Sequence, residues 1–211
     1  MRKIIAVSVL GLALALSAGA QTPTSTYPGG NTATSSAAAQ MRQDRQSQIE
    51  ARRTELQAKL QSIRDERKKQ AVDRIYTNVN ALNERMTNHF TNVLNQIDEM
   101  LNRVNSRASK GETNGLNVSA AKTEITNAQN ALALARDAVK TQAEKVYAVQ
   151  ITGNETTLRS DVGKTREALH HDLVAVRDMV KAARDAVRKA AVTLAQIPRV
   201  DEVEVPAGST Q

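Results

Sequence analysis

Apolar residues recur every three or four positions along most of the chain, and glycine and proline are rare within those stretches. Neither residue occurs from Asn31 to Lys110. Relative to alanine, proline destabilises a helix interior by about 3 kcal/mol and glycine by about 1 kcal/mol. The sequence therefore predicts one long helix, from about Met41 to Ser109, followed by two shorter helices.

The first predicted helix has a strong apolar stripe in its C-terminal part and a weak one in its N-terminal part. Steps of three and four residues alternate, which keeps each stripe on one helix face. No apolar residue occurs over 64–70. The strong stripe comprises Val72, Ile75, Val79, Leu82, Met86, Phe90, Val93, Ile97, Leu101, Val104 and Ala108. The weak stripe comprises Ile49, Leu56, Leu60 and Ile63.

Helix two is predicted over about Val118 to Ile151, and helix three over about Glu155 to Gln196. In helix two, large aliphatic residues fill one heptad position and alanines fill the other, which allows a neighbouring helix to approach closely. Gly163, near the start of helix three, indicates a bend or a close helix contact. The heptad residues of helix two are Val118, Ile125, Leu132, Val139 and Val146, with Ala121, Ala128 and Ala135.

The lengths of these segments predict how they are arranged. At about 1.5 Å per residue, the strong stripe spans about 55 Å, helix two about 50 Å and helix three about 60 Å. The connections are short, and short connections join antiparallel neighbours. We therefore expect an all-α fold in which 72–196 form a long antiparallel three-helix bundle. Residues 41–71 would protrude from it as a helical arm of about 45 Å.

The N-terminus has the pattern of a secretory signal peptide over 1–20. Two basic residues precede an apolar run over 4–16, and small residues then form a cleavage site. A membrane anchor is the alternative, but about 20 apolar residues are needed to span a bilayer. We expect an exported protein, periplasmic, cell-surface or secreted, without a transmembrane anchor after cleavage. The residues that define the cleavage site are Ala18, Ala20 and Gln21.

Polar segments flank the predicted helices on both sides. Residues 21–40 are small, polar and punctuated by proline and glycine, which predicts a flexible linker. Residues 197–211 form an acidic segment bounded by proline, predicted to be a disordered tail. The chain has no cysteine, so an exported protein of this sequence must gain its stability from helix packing.

Positive charge is concentrated in the predicted arm. The formal net charge is +7. Residues 42–74 contain ten basic and six acidic side chains, a balance of +4, whereas 111–211 contain thirteen of each. Such an arm could bind an anionic envelope polymer, but its interspersed acids also fit a charged helix that is merely solvated. The candidate contact residues are Arg52, Arg53, Arg64, Arg67, Lys68 and Lys69.

Candidate chemistry is sparse. Glu167 and His170 have the E-x-x-H spacing of di-iron bundles, but such sites need two of these motifs and two further glutamates. His170 and His171 are adjacent and point to different sides of a helix. His89 lies at the edge of the strong stripe. With no Ser/His/Asp set and no Gly-rich phosphate loop, the sequence predicts a protein without enzymatic activity, cofactor, metal or small-molecule substrate.

Two N-x-[ST] sequons begin at Asn117 and Asn154. Both lie at predicted helix starts, where Asn and Ser are preferred capping residues. Helix capping accounts for them without glycosylation.

Three blocks, RDERKKQAVDRI over 64–75, LNERMTNHFTNVLNQIDEML over 82–101 and RSDVGKTREALHHDL over 159–173, carry a resemblance. They resemble uncharacterised exported helical coiled-coil proteins of candidate-phyla bacteria, and the resemblance covers most of 45–200. It implies no known activity. A looser similarity is to the Skp-type periplasmic chaperones, which are also exported, basic and helical. Those proteins carry a small β-domain for trimerisation, and no β-pattern is present in this sequence.

These observations favour a protein that acts by contact, through a protein partner or through self-association of its helices. The first expectation is a structural or interaction component of the bacterial cell envelope. One alternative is a holdase chaperone of the Skp type for exported proteins. The other is an envelope protein that binds polyanions through the basic arm.

Overall fold

The computed structural model describes residues 32–153 and 155–200, with side chains from residue 39 onward. The predicted signal peptide, the linker over 21–31 and the tail over 201–211 lie outside the described residues. The described parts of the chain contain helices and no strand, which confirms the all-α prediction. The four helices are α1 (Thr32–Leu60), α2 (Glu66–Thr113), α3 (Ser119–Glu144) and α4 (Leu158–Ala195).

Helices α2, α3 and α4 form the predicted antiparallel three-helix bundle. Ion pairs show the direction of the chains: Lys122 of α3 contacts Glu112 of α2, and Arg136 of α3 contacts Asp98 earlier in α2. The seam of α3 is packed as its heptads predict. Its alanines are completely buried, so the helices approach closely at those positions. The buried α3 residues are Ala121, Ile125, Ala128, Leu132, Ala135, Val139 and Gln142.

The connection between α2 and α3 is a Schellman turn. Gly115 has φ of 77°, a left-handed conformation that glycine adopts without steric cost. Its N–H donates to the carbonyl of Glu112, and the N–H of Leu116 donates to the carbonyl of Gly111, both at 2.9 Å. These bonds satisfy carbonyls that the helix end would otherwise leave unpaired.

The prediction of one continuous helix over 41–109 is wrong, because the helix is interrupted between Leu60 and Glu66. Asp65 is the N-cap of α2, and its carboxylate accepts hydrogen bonds from the backbone N–H groups of Arg67 and Lys68. A carboxylate at this position is also stabilised by the helix dipole. The last two residues of the break, Arg64 and Asp65, begin the stretch that lacks apolar residues.

The predicted protruding arm is also corrected, because α1 folds back antiparallel along α2. The phenol of Tyr76 donates to the carbonyl of Ile49 at 2.7 Å, and a guanidinium N–H of Arg45 donates to the carbonyl of Asn80 at 3.1 Å. The weak stripe of 49–63 is therefore covered by the bundle and not left in solvent. Residues 32–40, predicted to be linker, belong to α1. The second core cluster comprises Leu56, Leu60, Ile63, Val72, Tyr76, Val149, Leu158 and Val162.

Helix two ends earlier than predicted, at Glu144 instead of Ile151. The backbone of Lys145 is extended, with φ −70° and ψ 137°, and an irregular segment leads to α4. Tyr147 and Val149 are buried, two residues apart, so the period of burial changes from that of a helix to that of a strand. β-Branched and aromatic residues favour such extended backbone.

Candidate interaction surface

The six predicted contact residues do not form one continuous cationic surface, because several are engaged within the chain. Arg53 makes two hydrogen bonds, of 3.0 and 2.8 Å, to the carboxylate of Asp73. These bonds join α1 to α2, and they hold the pKa of Asp73 below its usual value. Arg52 pairs with Glu55 at 2.9 Å within α1. These two arginines therefore belong to the hairpin of α1 and α2.

The remaining four candidates lie where α1 turns into α2. Lys69 pairs with Glu66 at 3.2 Å, and Lys68 pairs with Glu155 at 3.0 Å. The side chains of Arg64 and Arg67 are exposed and make no ion pair with the residues that the structure describes. Of the six candidate contact residues, Arg64 and Arg67 are the two whose guanidinium groups are unpaired within the described residues.

Glu155 fixes the break between α1 and α2. Its Oε1 accepts hydrogen bonds from the backbone N–H groups of Arg64, at 3.0 Å, and Asp65, at 2.9 Å. Its Oε2 accepts a hydrogen bond from the ammonium of Lys68. The bond from Lys68, with those from the backbone, lowers the pKa of Glu155. One carboxylate thus ties the segment before α4 to the start of α2.

A second set of polar side chains lies buried on α2. The amide of Asn80 pairs with the backbone of Tyr147: its Nδ2 donates to the carbonyl at 3.1 Å, and its Oδ1 accepts from the N–H at 2.9 Å. Asn83 donates to the carbonyls of Gln142, at 3.0 Å, and Lys145, at 3.2 Å. These amides replace the helical partners that the chain loses where α3 ends.

Side-chain hydrogen bonds extend this network to α4. Gln142 donates to Asn83 Oδ1 at 2.9 Å and to the hydroxyl of Tyr147 at 2.7 Å. That hydroxyl donates to Asp172 Oδ2 at 2.6 Å. Burial, followed by the contact with Asp172, raises the pKa of Tyr147, so the phenol stays protonated. The network positions the extended segment, and its polar groups satisfy one another.

Asp161 holds the other end of the extended segment. Its Oδ2 accepts from the N–H of Thr152 at 3.0 Å, and its Oδ1 accepts from the hydroxyl of Thr152 at 2.9 Å. The bond from the Thr152 backbone lowers the pKa of Asp161 and outweighs the opposing effect of burial. Both ends of the segment that connects α3 to α4 are therefore fixed by side chains.

The candidate metal-ligating side chains are dispersed at the surface. Glu167, His170 and His171 are all exposed. Within 32–153 and 155–200, no three His, Cys, Asp or Glu residues lie close enough together to hold a metal ion. Asn117 accepts hydrogen bonds from the N–H of Ser119, at 3.1 Å, and from its hydroxyl. The N-cap residue of α3 is Val118, so Asn117 precedes the cap and does not occupy it. Asn154 lies outside the described residues.

An open apolar groove runs between α2 and α4 in the part of the molecule near Glu155. Two adjoining depressions, of about 440 and 280 Å³, share Ile75 and Arg166. Gly163 lies in the wall of the groove, and a Cβ built there would meet no heavy atom within 4 Å. Of the two predictions for Gly163, a bend or a close helix contact, the close contact is therefore wrong. The apolar lining comprises Val72, Ile75, Val79, Leu82, Leu158, Val162, Leu169 and Leu173.

Cations border this groove. Arg159 and Arg166, on α4, are exposed and form no ion pair with any described residue. Lys68 stands on the α2 side, where it is paired with Glu155. The groove therefore combines apolar side chains with two guanidinium groups that are free to bind anions.

The sequence did not indicate the groove, because its α2 residues were assigned to the bundle core. Leu82 is 38 % exposed and Ile75 only partly buried, whereas Asn83 and Thr87 lie inside. Over 76–87 the buried face of α2 is thus largely polar, and the apolar stripe lies beside it. The recurrence of Asn80, Asn83 and Thr87 at helical spacing was the available signal.

None of the four described helices has an apolar stretch long enough to cross a membrane. Protein-family models, curated proteins and solved structures give no match to this chain.

Proposed function

We propose that this protein is an exported, non-enzymatic interaction component of the bacterial cell envelope, and that it binds a protein partner through the groove between α2 and α4. The observation that carries the proposal is the groove itself, an open depression lined by apolar side chains and bordered by unpaired arginines. Of its apolar residues, Leu82 is exposed, and Ile75 and Leu173 are partly buried. Apolar contact area and arginine are the features enriched at the centres of protein interfaces.

Energy considerations also favour a partner at this surface. Burying an exposed leucine side chain completely stabilises a complex by about 1.5–3 kcal/mol. Leu82 is 38 % exposed, and Ile75, Leu173 and Arg166 line the same groove. Because these side chains are already partly covered, a partner gains only the remaining fraction of that amount from each, about 1 kcal/mol for Leu82. Its acidic groups can in addition pair with the arginines.

Site-specific photo-crosslinking tests the groove. A photoreactive amino acid replaces His170, an exposed residue of the groove, in cells that naturally produce the protein. The control replaces Gln129, an exposed residue of α3. We expect a discrete crosslinked protein from position 170 that is missing from position 129. Equal crosslinking at both positions, or none at position 170, would refute the proposal.

The proposed export is tested separately, by determining the N-terminus of the mature protein. Mass spectrometry of the natively produced protein should give an N-terminus at Gln21. Retention of residues 1–20 in the mature protein would contradict the proposed cleavage.

The two alternatives predict different behaviour. A holdase would suppress the aggregation of unfolded exported proteins, and a groove substitution such as Leu82→Asp would weaken that effect. A polyanion binder would lose affinity steeply with salt. The pairing of Arg53 and Lys68 within the chain weighs against the polyanion alternative, since both cations are already neutralised by neighbouring carboxylates.

A further inference from the structure

We propose that the groove between α2 and α4 binds residues 201–205 of a second copy of this chain. This inference depends on the proposed function of the groove as a binding surface and names its occupant. The segment has the sequence DEVEV and directly follows Val200, the last residue that the structure describes. It offers apolar side chains that can cover the apolar lining of the groove, and carboxylates that can pair with the arginines at its border.

Charge complementarity is the first argument. The segment holds three carboxylates, those of Asp201, Glu202 and Glu204, and no cation. The groove holds the unpaired guanidinium groups of Arg159 and Arg166. Arginine binds carboxylates with two parallel hydrogen bonds, which adds geometric specificity to the attraction.

The pattern of the segment is the second argument. Val203 and Val205 alternate with Glu202 and Glu204. Alternate side chains of an extended peptide point to opposite faces. An extended DEVEV segment bound in the groove would place Val203 and Val205 on the apolar lining, with Asp201 on the same face. Glu202 and Glu204 would lie on the opposite face, at the open rim of the groove where the arginines stand.

The length is the third argument. From Lys68 to Leu82 the groove follows α2 for about 21 Å, at 1.5 Å per residue. Five extended residues span about 17 Å, at about 3.4 Å per residue. The segment therefore fits within the groove along its axis.

The groove must belong to another copy, because the segment begins at the opposite end of the bundle. Val200 is buried there, and its Cγ2 lies 3.3 Å from where a Cβ of Gly111 would be. From Arg166 to Leu194, α4 extends about 42 Å. Residues 201–205 reach only about 17 Å from Val200, so the segment cannot fill the groove of its own chain.

Binding of this kind is head to tail. Each copy that inserts its segment into a neighbour keeps its own groove available for a third copy. Such a heterologous contact produces a ring if its rotation closes and a filament if it does not. Self-association should therefore increase with concentration beyond a dimer.

A charge-swap experiment tests the proposal on the mature full-length protein. The groove variant carries Arg159→Glu and Arg166→Glu, and the tail variant carries Asp201→Lys, Glu202→Lys and Glu204→Lys. Analytical ultracentrifugation should show self-association about tenfold weaker for each variant alone, since two or more exposed ion pairs become repulsive. Circular dichroism should show an unchanged fold, because both arginines are exposed.

The mixture of the two variants is the decisive sample. In the mixture, the basic tail of the tail variant can bind the acidic groove of the groove variant. The acidic tail of the groove variant can likewise bind the basic groove of the tail variant. We expect the mixture to recover the assembly of the unmodified protein, and a synthetic peptide of residues 198–205 to inhibit that assembly. A mixture that stays dissociated would overturn the proposal, and so would an unmodified protein that is monomeric at all concentrations.

These outcomes separate this inference from the proposed function. If the groove variant loses the crosslinked partner at position 170 while self-association is unchanged, the groove binds a different protein. The proposed function then stands and the tail of a second copy is not the occupant. If neither crosslinking nor self-association responds to the groove variant, both are wrong.

Discussion

One half of this bundle is ordered by apolar packing, whereas the other, here called the polar half, combines smaller apolar clusters with buried hydrogen bonds. In the apolar half, α2 from Phe90 to Ala108 packs on α3 and on the C-terminal part of α4 through aliphatic side chains. In the polar half, α2 over 66–87 packs on α1, on the irregular segment that follows α3 over 145–153 and on the start of α4. There, buried amides and carboxylates hold the backbone in place.

The difference shows what each kind of contact can specify. Apolar contacts are non-directional and scale with buried area, so a regular stripe suffices to align three helices. Hydrogen bonds have narrow distance and angle ranges, so they can fix backbone that is not helical. The polar half therefore contains the interruption between α1 and α2, the reversal of chain direction there, and the open groove between α2 and α4.

The largest expected effect is in the apolar half. Ile97 is 2 % exposed, and Ile97→Ala leaves a cavity among close-packed helices. We expect a loss of about 3 kcal/mol in the free energy of unfolding, within the range of such substitutions. Urea unfolding followed by circular dichroism measures it. Gln129→Ala, at an exposed position of α3, is the control, and an equal effect of both would contradict the bundle core.

The next effect is in the polar half. Asn83→Ala removes the donor to the carbonyls of Gln142 and Lys145 and leaves the amide of Gln142 with one partner fewer. Stranded buried polar groups cost about 1–3 kcal/mol, so we expect a loss of about 2 kcal/mol.

The matched control for this change is Asn92→Ala, at an exposed position of the same helix. Amide hydrogen exchange adds a local measurement, because the extended segment should exchange faster in Asn83→Ala. If the two asparagine variants unfold alike, the network does not stabilise the polar half.

The contrast also explains how much of the fold the sequence predicted. The heptads of α3 identified Ile125, Leu132 and the alanines correctly, because burial there follows helical periodicity. The same reasoning assigned Leu82 to the core and did not assign Asn83, since it counted only apolar residues. Asn83 is buried because its amide donates to the carbonyls of Gln142 and Lys145, about 60 residues away in sequence. The periodicity of apolar residues along α2 gives no information about such a partner.

The break before α2 had a local signal that was not used. Asp65 followed by Glu66 is a typical helix start, and it coincides with the interruption of the apolar stripe. The role of Glu155 had no such signal, because it contacts Arg64 from 91 residues away in sequence. The groove depends on both features and therefore became visible only in three dimensions.

Asp161 should make the polar half sensitive to acid. Its folded pKa is lowered from 3.8 by the Thr152 contacts, so its stabilising effect is complete above the unfolded pKa. That effect is lost as the pH falls through the folded pKa. Asp161→Asn should lower stability by about 1 kcal/mol at neutral pH and by less at pH 3.

Thermal melting at pH 6 and pH 3 measures this dependence. The comparison is with Asp178→Asn, an exposed carboxylate of the same helix that is paired with its neighbour Arg177. Only Asp161→Asn should reduce the difference in melting temperature between the two pH values. An unreduced difference would mean that the contacts of Asp161 with Thr152 do not hold the extended segment.

The smallest effect, and the one of opposite sign, is expected from Gly163→Ala. Gly163 lies inside α4, where glycine is less favourable than alanine by about 1 kcal/mol. Because a Cβ there would meet no atom within 4 Å, nothing offsets the gain, and the melting temperature should rise by about 2 °C. Self-association should be unchanged, since a methyl group leaves the groove open.

Gly163→Trp is the matched variant, since its indole would occupy the groove and block the tail of a second copy. A Gly163→Ala protein that melts lower would mean that the groove wall is packed more closely than the structure shows.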